Sequence, residues 1–89
     1  MSYARRVTLS HVYRPEVLGA LAGHGLRPTA GTAPARAKEF VNDLYCYELR
    51  RLRRALLAGR IPKADYAGHV VALRKRYWLV SLPLDRWAA

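Results

Sequence analysis

The sequence predicts a mainly α-helical protein, with a short N-terminal helix, a long antiparallel helical hairpin and extended or short β arms at both termini. Three observations lead to this fold class. Two segments in the second half of the chain repeat apolar residues at helical spacing. A very short connection joins these segments, as between antiparallel neighbours. Both ends carry patterns that do not fit helices. The 89 residues are expected to form a single small domain, 1–89.

The first third of the chain is predicted to contain an arm, a short helix and a loop. Residues 1–13 are expected to form an extended arm or strand. Their side chains follow a period-two pattern and include β-branched and aromatic residues, as in β-strands. Residues 15–24 are expected to form the short helix, since Pro15 suits a first turn and glycines follow. The segment 25–34 is rich in proline and glycine and is predicted to be a loop.

The hairpin is predicted to consist of a long helix over 35–58 and a second helix over 63–78. Gly59 suits the left-handed position that follows the last turn of a helix. The second helix has its apolar residues at helical spacing: Tyr66, Val70, Leu73 and Tyr77. The tail, 79–89, is expected to be extended because Pro83 prevents a continuous helix.

The long helix is expected to extend beyond its partner by about two turns, or ~10 Å. The apolar residues in that part of the helix are Phe40, Val41 and Leu44. They must be covered by the first helix, by the tail or by another copy of the chain. A dimer that forms a four-helix bundle is one way to achieve this.

Glu48 lies on the apolar side of the long helix, within about 60° of Val41 at 100° per residue. A buried carboxylate without a partner is costly. The antiparallel register places Arg74 near it, which predicts a structural ion pair between Glu48 and Arg74 with the Tyr77 hydroxyl as an additional donor. The alternative is a small enzyme in which Glu48, His69 and tyrosines act as a general acid or base.

The chain is strongly basic, with 16 Lys and Arg residues against 6 Asp and Glu and a net charge of +10. Guanidinium groups pair well with phosphate oxygens. The charge therefore predicts a polyanion-binding surface made of Arg50, Arg51, Arg53, Arg54, Arg60, Lys63, Lys75 and Arg76. The same cations also fit a solvated helix face in a protein whose composition is rich in Arg and Ala.

The sequence therefore favours a non-enzymatic small basic accessory protein that binds nucleic acid or another polyanion through an arginine-rich helix face. The alternative is a protein–protein interaction module or a small subunit of a complex, including a homodimeric helical bundle. Its partner surface would contain Tyr47, Trp78 and Trp87. The expected partners are nucleic acid or an acidic protein surface. Contacts to nucleic acid are expected to be mainly to the backbone, because no base-reading motif is present.

Cysteine and histidine usage predicts no metal and no cofactor. Cys46 is the only cysteine, which excludes an internal disulfide and a Cys-based zinc site. The three histidines lack the spacing of metal ligands.

No apolar run approaches the ~20 residues that span a bilayer, so no membrane partner is expected. Because Cys46 is the single cysteine, a reducing, cytoplasmic location is expected.

Overall fold

The computed structural model describes residues 11–88, in which three α-helices and two short 3₁₀ turns account for most of the chain. Their bounds are Pro15–Gly23 for α1, Pro34–Leu57 for α2, Lys63–Arg76 for α3, and Trp78–Ser81 and Leu84–Arg86 for the two 3₁₀ turns. The mainly helical fold class is confirmed. The bounds of the α-helices fall within one or two residues of those predicted, which is the usual uncertainty at helix ends.

Helices α1 and α2 end in the same hydrogen-bonded motif, and a glycine makes each end possible. Gly25 has φ 84° and Gly59 has φ 76°, in the region that side chains with a Cβ disfavour. After α2, the Arg60 N–H donates to the Ala55 carbonyl at 2.9 Å, and the Gly59 N–H donates to the Leu56 carbonyl at 3.0 Å. This Schellman pattern confirms the predicted position of Gly59. It also fixes the point at which Arg60 leaves the helix.

Helices α2 and α3 pack against each other as the two arms of a hairpin, and the 3₁₀ turns pack against α2. The pairing runs from the turn back along both helices. Ala55 and His69 line the same groove near the turn, and Glu48 approaches Arg76 further away from it. The α2 helix is 24 residues long and α3 is 14 residues long, so the first part of α2 has no partner in α3.

The buried side chains gather at that end of α2. They come from the three α-helices, from the first 3₁₀ turn and from residues next to these elements: Tyr13, Val17, Leu21, Ala37, Val41, Leu73, Tyr77, Leu79 and Trp87. Val41 is fully buried, Leu44 is half-buried and Phe40 is 41% exposed. Helix α1 and the tail supply the cover that the sequence required for this part of α2.

The remainder of the hairpin is different, because no side chain between Leu44 and Ala72 is buried. We call residues 44–72 the distal hairpin. Its apolar residues are half-buried or exposed, and Leu57 reaches 78% exposure. Two helices alone cannot enclose an apolar core, so the distal hairpin depends on pair contacts and on whatever binds to it.

The predicted extended tail is wrong. It folds back as two 3₁₀ turns and buries Leu79 and Trp87. The Leu82 carbonyl accepts hydrogen bonds from the Trp87 indole N–H at 3.0 Å and from the Lys38 ammonium at 2.8 Å. Pro83 prevents an α-helix but is compatible with the start of a 3₁₀ turn, since its φ is −59°. The tail is thereby attached to α2.

The β arms are also not supported within the described part of the chain. Pairing between residues 11–88 is limited to one isolated antiparallel bridge, which joins Tyr13 and Ala88. The Tyr13 hydroxyl donates to the Thr32 carbonyl at 2.6 Å, and the Arg14 N–H donates to the Trp87 carbonyl at 3.0 Å. These bonds hold the segment before α1 to the loop that precedes α2 and to the tail, without a sheet. Residues 1–10 of the predicted arm lie outside the described residues.

Candidate polyanion-binding groove

An open groove of about 620 Å³ runs between α2 and α3 along one side of the hairpin, from the turn as far as Arg76. Its polar lining consists of Glu48, Arg51, Arg54, Arg60, His69 and Arg76, and its apolar lining consists of Leu52, Ala55, Ala72 and Leu73. The lining therefore carries four guanidinium groups and one carboxylate, a net charge of +3 from these five side chains. We call this feature the arginine groove.

The helical repeat explains why these side chains meet. On α2, Glu48, Arg51 and Ala55 are separated by three and four residues, so they lie on one face. On α3, the same spacing aligns His69, Ala72 or Leu73, and Arg76. Arg60 comes from the turn, where the Schellman motif places it beside the end of α2. The groove is thus assembled from two helices and the turn between them.

Glu48 is held between two arginines rather than by the partner predicted for it. Its Oε2 lies 3.8 Å from Arg76 Nη1, and its Oε1 lies 4.0 Å from Arg51 Nη1. Both distances exceed that of a charge-assisted hydrogen bond, which is about 2.8 Å. The side chain of Glu48 is 30% exposed and those of the arginines are 63–64% exposed. The contacts are therefore loose, solvated ion pairs that contribute little stability.

Arg74, the predicted partner of Glu48, is replaced by Arg76 for a geometric reason. Counted from Leu73 at about 100° per residue, Arg76 lies about 60° towards the side of His69, whereas Arg74 lies about 100° in the other direction. Within residues 11–88 no ion pair joins Glu48 to Arg74, and no hydrogen bond joins Glu48 to the Tyr77 hydroxyl. The height of Glu48 along the hairpin was anticipated correctly, but the side to which it turns was not.

The structure divides the eight cations predicted to bind a polyanion into two groups, although all eight are exposed. Four of them line the arginine groove: Arg51, Arg54, Arg60 and Arg76. The other four do not line it: Arg50, Arg53, Lys63 and Lys75. The helical pattern of α2 alone placed all its arginines on outer faces. It could not show that α3 would bring Arg76 and His69 to the same side as Arg51.

The three aromatic residues predicted to form a partner surface have different environments. Tyr47 is 52% exposed and Trp78 is 40% exposed. Trp87 is fully buried, because the 3₁₀ turns fold it into the core and Leu82 satisfies its indole N–H. Trp87 is therefore excluded from any surface, which corrects the prediction. The Arg51 guanidinium carbon lies 6.0 Å from the centroid of the Tyr47 ring, at the outer limit of a cation–π contact.

An aromatic stack beside the groove had no signal in the sequence. The rings of His24 and Tyr77 are parallel, with 4.3 Å between centroids and 4° between planes. The Tyr45 ring packs against the Tyr77 ring at a tilt of 52°, with 5.6 Å between the two centroids. Burial lowers the pKa of His24, while a hydrogen bond to the Arg76 backbone raises it and the Arg76 charge lowers it. Within the described chain His24 Nε2 is buried without a hydrogen-bond partner.

Burial also raises the pKa of Tyr77, and the negative charge of Glu48 adds to that rise against an opposing effect of Arg76. The stack of His24 on Tyr77 therefore connects the buried core to the end of the arginine groove that contains Glu48. His24 belongs to the C-terminus of α1 and Tyr77 to the end of α3. Their contact joins two residues that are more than fifty positions apart in the sequence.

Comparison with known proteins does not assign the chain to a group. No family model matches it, and neither the curated proteins nor the solved structures contain a match. Within residues 11–88, no three His, Cys, Asp or Glu side chains come together as the ligands of a metal would. No helix of that part of the chain is long and apolar enough to cross a lipid bilayer. The arginine groove is the site from which a function can be argued.

Proposed function

We propose that this protein is a non-enzymatic accessory protein, acting in the cytoplasm, that binds nucleic acid or another phosphate-rich polyanion. The observation that carries this proposal is the arginine groove, in which Arg51, Arg54, Arg60 and Arg76 surround a recess of about 620 Å³. A recess walled by cations focuses a positive potential, which raises the local concentration of anions. The overall charge of +10 draws a polyanion to the same surface.

The chemistry of the arginines suits phosphate groups. A guanidinium presents several N–H donors in a plane and pairs with two phosphate oxygens at once. Arg51 and Arg76 are only loosely engaged by Glu48, at 4.0 Å and 3.8 Å, so their donors remain accessible to a ligand. Contacts of this kind position the backbone of a nucleic acid and carry no base sequence. Binding is therefore expected to depend steeply on salt, because each contact releases counterions.

The test removes the arginines of the groove and compares the result with an equal loss of charge elsewhere. The groove variant carries Arg51→Ala, Arg54→Ala and Arg60→Ala. The matched control carries Arg50→Ala, Arg53→Ala and Lys75→Ala, three exposed cations off the groove lining. Affinity for a fluorescein-labelled single-stranded oligonucleotide is measured by anisotropy at several salt concentrations. The groove variant should reduce the slope of log K against log salt by about 2, or ~0.7 for each contact.

A second variant of the same experiment changes the charge of the groove in the opposite direction. Glu48→Gln removes the one carboxylate that residues 11–88 contribute to the lining. Binding should become tighter by roughly 2- to 10-fold, because a negative charge no longer repels the ligand. The free energy of unfolding should change by less than about 1 kcal/mol, since the ion pairs of Glu48 are solvated. Absence of binding at low salt, or an equal loss in both triple variants, would contradict the proposal.

We also propose a second function, because one observation favours it. The distal hairpin has no buried side chain, and it exposes Leu57 at 78% and Val71 at 48%. Apolar surface of this kind on two packed helices suits a protein interface, either with another subunit of a complex or with a second copy that completes a four-helix bundle. An acidic protein surface would be compatible with the neighbouring arginines.

A further inference from the structure

Tyr47 adds a feature that a site for phosphate alone would not require. It lies one turn before Arg51 on α2, and Arg54 continues the same row of the helix. Tyr47 is 52% exposed, although it is an aromatic residue in the middle of the 24-residue helix α2. An exposed ring therefore stands at the edge of the arginine groove.

The contact with Arg51 fixes the relation between the ring and the groove. The guanidinium carbon of Arg51 lies 6.0 Å from the ring centroid, and Arg51 lines the groove. A cation over one face of an aromatic ring leaves the remaining ring surface available to a second planar group. The combination of an accessible ring and neighbouring phosphate-binding cations is the arrangement by which proteins bind single-stranded nucleic acids.

We propose that the ligand of the arginine groove is a single-stranded nucleic acid, with one base stacked on Tyr47 while Arg51, Arg54, Arg60 and Arg76 bind the neighbouring phosphates. This inference rests on the proposed polyanion-binding function and specifies its ligand. A duplex keeps its bases stacked on one another inside the helix, so it has no free base for Tyr47. Polyphosphate has charge but no base. Single strands alone offer both partners.

The experiment compares ligands and variants together. The probes are a fluorescein-labelled single-stranded oligonucleotide, a duplex of the same sequence, an abasic strand of the same length and labelled inorganic polyphosphate. The variants are Tyr47→Leu, which removes the ring, and Tyr47→Trp, which enlarges it. Phe40→Leu is the matched control, because Phe40 is another exposed aromatic residue of α2, at 41%, but lies two turns from Tyr47. Circular dichroism and the Tm verify that each variant is folded.

The expected result is a loss of about 5- to 100-fold in affinity for the single strand in Tyr47→Leu, the range found when a stacked aromatic residue is removed. Tyr47→Trp should retain or increase the affinity, and Phe40→Leu should leave it unchanged. The abasic strand and polyphosphate should bind more weakly than the single strand and should not distinguish wild type from Tyr47→Leu.

Two results would overturn the inference while leaving the polyanion-binding function intact. One is equal binding of the single strand by wild type and Tyr47→Leu. The other is binding of the duplex or of polyphosphate as tight as that of the single strand. Failure of the proposed function itself would be a different observation, namely that wild type binds none of the four probes at low salt.

Discussion

His24 ends α1 with its ring against Tyr77, in a position where a positive charge is disfavoured. Its Nε2 is buried, and the groups that face it are the Tyr77 ring and the end of α3 at Arg76. A protonated imidazole would lose its hydration there and would approach a cation. The stack is therefore built for the neutral form of His24, which makes this contact between α1 and α3 sensitive to acid.

The stability of the protein is expected to fall on mild acidification because of His24. Burial lowers its pKa from the ordinary value of 6.5, so the unfolded chain takes up a proton before the folded chain does. The stabilising contribution is complete above that value and is lost as the pH falls from it through the folded pKa. Urea denaturation of wild type and His24→Phe between about pH 7.5 and pH 5.5 measures this.

In His24→Phe the ring stack is kept and the titrating group is removed, so the loss of stability in this range should be smaller than in wild type. His69→Gln is the control, because His69 is an exposed histidine of the groove. The loss should persist in that variant. If His24→Phe lost stability with pH as steeply as wild type, the effect would not come from the stack.

Glu48 shows how far single residues could be predicted from the sequence. Its position on the α3-facing side of α2 follows from helical periodicity, and the structure places it on the lining between the two helices. The choice of Arg76 over Arg74 depends on which side of α3 the carboxylate meets. That is a property of two helices packed together, and the pattern of one helix does not contain it. The stack of His24 on Tyr77 is non-local in the same way.

Among the elements, the tail has an effect on the fold that exceeds its length. Trp87 is the largest of the fully buried side chains. Its indole N–H donates to the Leu82 carbonyl within the tail, and its carbonyl accepts a hydrogen bond from the Arg14 N–H before α1. The spacing of Leu79 and Leu82, and of Leu84 and Trp87, is three residues, which equals the repeat of a 3₁₀ helix. This spacing favours 3₁₀ turns over an extended tail, but the prediction of an extended tail rested on Pro83. Pro83 alone does not distinguish the two structures, because proline is compatible with an extended segment and with the start of a 3₁₀ turn.

Trp87→Ala is expected to lower the free energy of unfolding by about 3–5 kcal/mol, the usual cost of emptying a buried aromatic site. A small domain has a total stability near the lower end of 5–15 kcal/mol, so a large part of it would be lost. The control is Leu84→Ala in the same tail, since Leu84 is 44% exposed and should cost much less. Chemical denaturation followed by far-ultraviolet circular dichroism measures both variants with the same probe. A loss in Trp87→Ala as small as that expected for Leu84→Ala would show that the burial of Trp87 does not anchor the core.

The α-helices, in contrast, were predicted almost to the residue. Their ends carry strong local signals: proline in the first turn of α1 and α2, and glycine after the last turn of each. Such signals act over four or five residues and need no tertiary contact. The predicted second helix, 63–78, was too long because Tyr77 leaves helical geometry to stack on His24. The end of a helix could be predicted where a nearby proline or glycine sets it. It could not be predicted where a contact with a residue distant in the sequence sets it.

In the whole molecule, stability is expected to be uneven, because the buried residues lie outside the distal hairpin. Segments with few buried contacts open at a lower free energy than the global unfolding transition. Amide hydrogens of residues 48–70 should therefore exchange faster with solvent than those of residues 37–44. Hydrogen exchange followed by mass spectrometry measures this difference, and equal protection of both segments would contradict it.

The same measurement at several protein concentrations tests the proposed homodimer. If a second copy covers the distal hairpin, protection of residues 48–70 should increase with concentration, and the mass in analytical ultracentrifugation should approach that of two chains. A monomer with protection that is independent of concentration would contradict the homodimer. Protection gained only on adding the oligonucleotide would instead support the arginine groove as the surface that is covered.

The buried residues lie outside the distal hairpin, so the two parts of the chain are expected to accept substitutions differently. Substitutions in residues 44–72 meet few packing constraints there, so charge and helix propensity decide whether they are accepted. Substitutions at positions such as Val17, Val41 or Trp87 meet a filled interior and are accepted only at similar volume. Binding strength and foldedness can therefore change almost independently along one short chain. A new ligand could be acquired at one end while the other end continued to hold the fold.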